Sequence, residues 1–158
     1  MAPRGEWYDV SWIGDAVGSG GFYKNIGLHF FGMLTYVFGE PTQHDLPLCE
    51  KKRAGGIMEF AFARVRWFLS LSADYLPGPM REGNRAYRPI TIDDQAFEFT
   101  SGFEDLHDES YREILSGRGY GLELVRPSIE IVSKLRTMAV APAHAAHAHP
   151  RIAQLLSS

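Results

Sequence analysis

The sequence predicts an α+β domain, an open and mostly antiparallel sheet with helices packed on one of its faces, and three observations predict it. Apolar residues recur at helical spacing from Phe22 to Val37. Between Gln43 and Phe99 the pattern changes to short alternating runs rich in β-branched and aromatic residues. Past Phe103 the helical period returns and persists to Leu135. A chain of 158 residues with 45% apolar content fits one ordinary domain and has enough apolar side chains for a core.

Taken in order, an extended opening runs through Trp12, and Gly18, Gly20 and Gly21 then precede the first helix. Phe22, Ile26, Phe30, Met33, Leu34 and Val37 line one side of that helix. Gly39 ends it as a C-cap residue, and Pro41 prevents its resumption. Strands are expected from Gln43 to Leu48, with Cys49 as a strand residue, and from Gly56 to Leu71, Tyr87 to Ile92 and Ala96 to Phe99. Asp93-Asp94 turns a hairpin, and Ala73 to Ala86, rich in Pro, Gly and charge, reads as a surface loop. Leu106, Tyr111, Ile114 and Leu115 mark a second helix, and Leu122, Val125, Ile129, Val132 and Leu135 a third. The third begins near Pro127 or bends there, because proline lacks the N–H donor and crowds the preceding turn. The domain is read as residues 1–137. After Thr137 the run of Ala, His and Pro through Pro150 shows no buried face, and residues 138–158 are expected to form a flexible tail with one weak helical turn at Ile152 to Leu156.

The long strand has two substantial faces. Ala61, Ala63, Val65, Trp67, Leu69 and Leu71 point one way, and Phe60, Phe62, Arg64, Arg66 and Phe68 the other. Three helices cover only one face. The second mixes Phe with Arg, the composition of a contact between subunits, so a homo-oligomer, dimer or tetramer, is expected through it; an ordinary half-solvated sheet is the other reading.

Charge narrows the partners. A net charge of −3 with 16 basic residues scattered along the chain gives no long-range reason to expect nucleic acid or an anionic membrane. No apolar run is long enough to span a bilayer, and Met1 to Gly5 does not read as the start of a signal peptide. Cys49 is alone, which excludes an intramolecular disulfide and agrees with a reducing, cytoplasmic setting.

Chemistry concentrates near the first helix. Asn25 and His29 are four residues apart, so their side chains share a face and can reach one ligand. Histidine can pass a proton near neutral pH, as a carbinol requires when its carbon loses a hydride; a structural helical histidine has the same spacing. Neither Gly18 to Gly21 nor Gly117 to Gly121 follows a strand and opens a helix within a βαβ unit, so no cofactor is expected to bind this chain alone. His144, His147 and His149 lie among Ala and Pro without partner Cys or acids, and no metal site is expected.

The motifs Pro3-Arg4-Gly5-Glu6-Trp7-Tyr8, Ser11-Trp12, Ser19-Gly20-Gly21 and Asn25-Ile26-Gly27-Leu28-His29-Phe30-Phe31 come first. Ala63-Arg64-Val65-Arg66-Trp67-Phe68-Leu69-Ser70, Gly119-Tyr120-Gly121-Leu122 and Arg126-Pro127-Ser128-Ile129-Glu130 follow in order. Together they resemble the C-terminal domain of the glucose-fructose oxidoreductase/inositol dehydrogenase/MocA family, nearest its UDP-N-acetylglucosaminuronate 3-dehydrogenase branch. The resemblance implies a sugar-binding and oligomerising domain of an NAD-dependent nucleotide-sugar dehydrogenase, with NAD held by a Rossmann domain that is absent here. It implies that His29 exchanges a proton with the sugar hydroxyl, that Asn25 is the polar residue one turn before it, and that Arg4, Trp7, Tyr8, Ser11 and Trp12 shape a UDP-sugar pocket. Aromatics in the core and Arg4 on the surface is the competing reading. Ile13 and Gly18 stand where the branch carries lysines, and Gly32 where an Asp follows the histidine. The chain is therefore expected to be inactive alone, working beside a separate Rossmann domain; the alternative is a stand-alone, non-catalytic homo-oligomeric module with a weak sugar-nucleotide pocket.

Overall fold

The computed structural model of the chain describes residues 7–12, 15, 20–81, 86–99, 105–141 and 147–157. Its centre is an antiparallel sheet of β1 (Gln43–Cys49), β2 (Arg53–Glu59) and β3 (Arg64–Ser70), in that spatial order. β1 is an edge strand with a register break between Asp45 and Leu48, where Pro47 has no N–H to give to a ladder. The expected single strand from Gly56 to Leu71 is corrected to a hairpin. Phe60 N–H donates to Ala63 C=O at 2.7 Å, closing a turn of four apolar residues that the alternation had read as strand. Phe60 is buried beside Phe38, with ring centroids 5.4 Å apart, whereas Phe62 stays exposed. A second hairpin, between β1 and β2, turns at Lys51-Lys52, with Glu50 N–H donating to Arg53 C=O at 2.8 Å.

One sheet face holds the core. α2 (Phe22–Phe38) lays Gly27, Phe31 and Leu34 onto it, and Phe31 meets Trp67 edge-on at 5.3 Å, a pairing worth ~0.5–1.5 kcal/mol beyond the area it buries. Gly27 is required by this closeness: a Cβ there would lie 2.8 Å from Phe31 Cε2 and 3.3 Å from Leu69 Cδ1. Gly56 lies under the Trp67 ring for the same reason. α5 (Leu122–Thr137) packs beside α2 and adds Ile131 and Leu135 to the core. It starts five residues before Pro127 and runs through it, with Ser128 Oγ donating to Val125 C=O at 2.8 Å. The buried indole N–H of Trp67 and both ring nitrogens of His44 have no hydrogen-bond partner among the described residues.

Outside the core lie short elements. α1 (Trp7–Val10) replaces the expected extended opening, and a 3-10 turn (Ala73–Tyr75) and α3 (Gly78–Arg81) occupy the expected loop. β4 (Pro89–Ile92) and β5 (Gln95–Glu98) form a separate hairpin, turned by Asp93 and Asp94 at positive φ. α4 (Leu106–Leu115) buries none of its side chains, and every residue of β5 is exposed.

α6 (Pro150–Leu156) corrects the reading that the C-terminal stretch has no buried face. Ile152 is fully buried and Ala148 nearly so, packed with Leu48 and Phe68. Leu48, Gly55 and Phe68 are cross-strand neighbours on the face away from α2, so the sheet carries helices on both sides. No helix among the described residues is long and apolar enough to cross a membrane.

Candidate functional site

The start of α2 needs glycine. Gly20 and Gly21 have φ of 84° and 89°, a region closed to most side chains, and Gly21 precedes the first helical residue with no side chain to cap it. Directly after this turn, Tyr23 points into the core and Lys24 folds back so that its amine reaches the space above Gly20, 5.7 Å from the Tyr23 ring centroid. Burial, then the electrostatic influence of the neighbouring Cys49 thiol, pushes the Tyr23 phenol up to about 12.

Because Tyr23, Gly27, Phe31 and Leu34 face the sheet, the 3.6-residue period puts Asn25, His29 and Tyr36 on the opposite side of α2. All three are exposed. The imidazole of His29 is thus presented outward rather than packed among hydrocarbon side chains, and Asn25 stands one turn before it. Gly32, one turn beyond, faces α5: a Cβ there would make an ordinary 3.7 Å contact with Ser128.

α1 is held from two directions. Its Asp9 carboxylate bonds Lys52 at 2.8 Å and Lys51 at 3.5 Å, and these pairs, the Lys52 hydrogen bond foremost, lower its pKa. The two lysines are the turn of the β1–β2 hairpin, so α1 is tied to it. Tyr8 is buried in the same core cluster as Phe22 and Tyr23, which is the packing reading for that residue. Ser11 Oγ donates to Tyr8 C=O at 3.0 Å, so this hydroxyl terminates the helix. Trp7 and Trp12 remain exposed, at 55% and 73%. Arg4, Ile13 and Gly18 lie outside the described residues. Lys51, Lys52 and Asp9 were not singled out from the sequence, because the contact joins residues more than 40 positions apart and a dibasic run looks like any solvated turn.

A dinucleotide cradle needs a glycine turn between a strand and a helix of a parallel βαβ unit. Among the described residues every strand pair is antiparallel, and the first strand follows α2 rather than preceding it. Gly117, with φ of 76°, follows the end of α4 and Gly121 directly precedes α5, so that glycine run joins two helices. These residues do not fit an NAD site. No group of His, Cys, Asp and Glu gathers for a metal among the described residues. His149 is instead held against Phe68, and His147 is exposed.

No family model matches the chain. Among solved structures, the WlbA (WbpB) dehydrogenase from Thermus thermophilus in complex with NAD and UDP-GlcNAcA superposes with a TM-score of 0.88 at 38% identity, over 96% of this chain and 49% of that one. The WlbA (WbpB) dehydrogenase of the same organism in complex with NAD and α-ketoglutarate matches with the same TM-score and identity, over 95% of this chain and 49% of that one. The chain spans about half the length of the structures it matches. With this identity sustained over almost all its residues, and an α+β fold matching the C-terminal region of those dehydrogenases, the chain is similar to the C-terminal domain of the glucose-fructose oxidoreductase/inositol dehydrogenase/MocA family, to which they belong.

Proposed function

We propose that this chain is the sugar-binding half of an NAD-dependent nucleotide-sugar dehydrogenase acting on a UDP-N-acetylhexosaminuronate-like substrate. His29 exchanges a proton with the sugar hydroxyl whose carbon is oxidised, and Asn25 orients that substrate. Trp7 and Trp12, with Arg4 and Ser11 nearby in sequence, line the nucleotide-sugar side, and the buried Tyr8 supports them. The observation that carries the reading is the 38% identity, over 96% of the chain, to a dehydrogenase holding NAD and UDP-GlcNAcA. The outward placement of Asn25 and His29 on one helix face supports it, since a general acid/base must be reachable by the group it serves. NAD is held by a dinucleotide-binding domain, and residues 1–158 without one do not turn over.

The test is reconstitution. This chain, mixed with the dinucleotide-binding domain of a WlbA-type dehydrogenase, should reduce NAD in the presence of UDP-GlcNAcA. His29→Ala should lower the rate by about 10²-fold or more while leaving the denaturation midpoint unchanged, because the ring is exposed. Absence of turnover in every such mixture, with both parts folded, rejects the reading.

A second reading has its own support: the described residues contain no dinucleotide cradle, and α4 and β5 expose Leu106, Tyr111, Ile114, Leu115 and Phe97. In that reading the chain is a non-catalytic homo-oligomeric module, and UDP-GlcNAcA binds weakly or not at all. Calorimetric titration of the chain with UDP-GlcNAcA, alone and in the mixture, separates the two.

A further inference from the structure

α6 has seven residues, well below the ~12–15 at which an isolated helix becomes even marginal in water, so its helicity depends on what it sits on. Two contacts seat it. Ile152 fills the space above Gly55, where a Cβ would come within 2.5 Å of its Cδ1, and packs with Ala148 against Leu48. His149 supplies the other contact. Its ring lies nearly parallel to Phe68, centroids 5.8 Å apart and planes at 23°, and its Nδ1 accepts a hydrogen bond from Arg151 N–H at 3.1 Å. That is the N-cap bond of α6, and it requires an unprotonated Nδ1.

The surroundings are unfavourable to a charged imidazole. From β3, Arg66 faces it, and from α6, Arg151. Beyond Phe68, Tyr75 accepts a hydrogen bond from Arg53, whose own charge is paired with Glu50. Burial, then the two arginines, push His149 down to about 4.

We propose that α6 is a strap seated by a neutral His149, so that protonating this imidazole removes the cap acceptor, places a third cation beside Arg66 and Arg151, and lifts the helix off Leu48 and Phe68. The core on the α2 face stays folded. This concerns the opposite side of the sheet from His29 and does not rest on the enzymatic reading. The sign follows from linkage: the seated form binds the proton less readily than the released form, so seating is favoured above the ordinary histidine range and lost as pH falls toward about 4.

Amide hydrogen exchange on the full chain tests it, with rates corrected for the intrinsic pH dependence of exchange. Between about pH 7.5 and about pH 4.5, the opening constant of residues 151–156 should rise roughly tenfold to a hundredfold, while the amides of Phe31 to Leu34 keep their protection. His149→Asn retains a cap acceptor that cannot titrate and should remove this pH dependence. Ile152→Ala should raise opening at both pH values. Unchanged protection of α6 in the native chain overturns the proposal. So does the same rise in His149→Asn, or loss of protection in α2 at the pH where α6 opens.

Discussion

At Gly27 and Gly32 the same residue type stands in one helix for opposite physical reasons. Gly27 is where α2 touches the sheet, and an added methyl meets Phe31, which Trp67 prevents from moving. Gly27→Ala should therefore cost about 1–3 kcal/mol despite alanine's better helix propensity. Gly32 faces open van der Waals space beside Ser128, so Gly32→Ala should stabilise by about 0.5–1 kcal/mol. Urea denaturation of the two variants checks both signs. His44 supplies a pH dependence. Desolvation, then Lys134, lower its pKa, with Asp45 opposing, and its ring nitrogens have no described partner to stabilise a charged form. The unfolded chain thus takes up this proton first, and stability falls as pH drops below about 6.5 toward the lower folded value. Replacing it, His44→Leu, should lessen the loss of urea midpoint between neutral and mildly acidic pH; an unaltered slope would show that other groups carry it.

The elements differ in what holds them. α2 and α5 are long enough to show their apolar stripe, and their pairing against β1–β3 is a consequence of that stripe. α1 is a four-residue helix that owes its place to buried Tyr8 and to Asp9 on the Lys51-Lys52 turn. Exposed ion pairs add little to global stability, so Asp9→Asn should leave the denaturation midpoint unchanged. Hydrogen exchange within α1 should instead quicken severalfold, because the tie to the hairpin is lost. An α1 that remains equally protected would assign its position to Tyr8 alone. α4 and the β4–β5 hairpin stand at the other extreme, carrying apolar residues yet burying almost nothing within the described residues.

For the whole molecule, those exposed residues and the Arg64 and Arg66 side of β3 are among the surfaces that the described residues leave for other polypeptides. α6 takes the apolar part of the second sheet face, and Arg64 and Arg66 flank it. Pairing of copies through this face predicts that the purified chain sediments as a dimer or larger, and that charge reversal at both arginines splits it. A monomer at high concentration rejects that surface. Reconstitution with a dinucleotide-binding partner is expected to protect α4 and the hairpin in the same exchange experiment, since they bear part of the apolar area that the described residues leave uncovered.

By itself the sequence determined the α+β class, the helical register that groups Asn25 with His29, the stretch from Gln43 to Phe99 that holds the strands, and the family resemblance, because period, turn chemistry and motif order are local properties of the chain. Only the tertiary structure decided which face each period presents. It turned Asn25 and His29 outward by committing Gly27 to Leu69 and Phe31 to Trp67, drew Tyr8 inward, bent the apolar run at Phe60 to Ala63 into a turn, and gave the Ala- and His-rich C-terminus a seat at Leu48 and Phe68. Each of these depends on a partner distant in sequence, and no window of neighbouring residues carries the energy of a contact that the fold has yet to make.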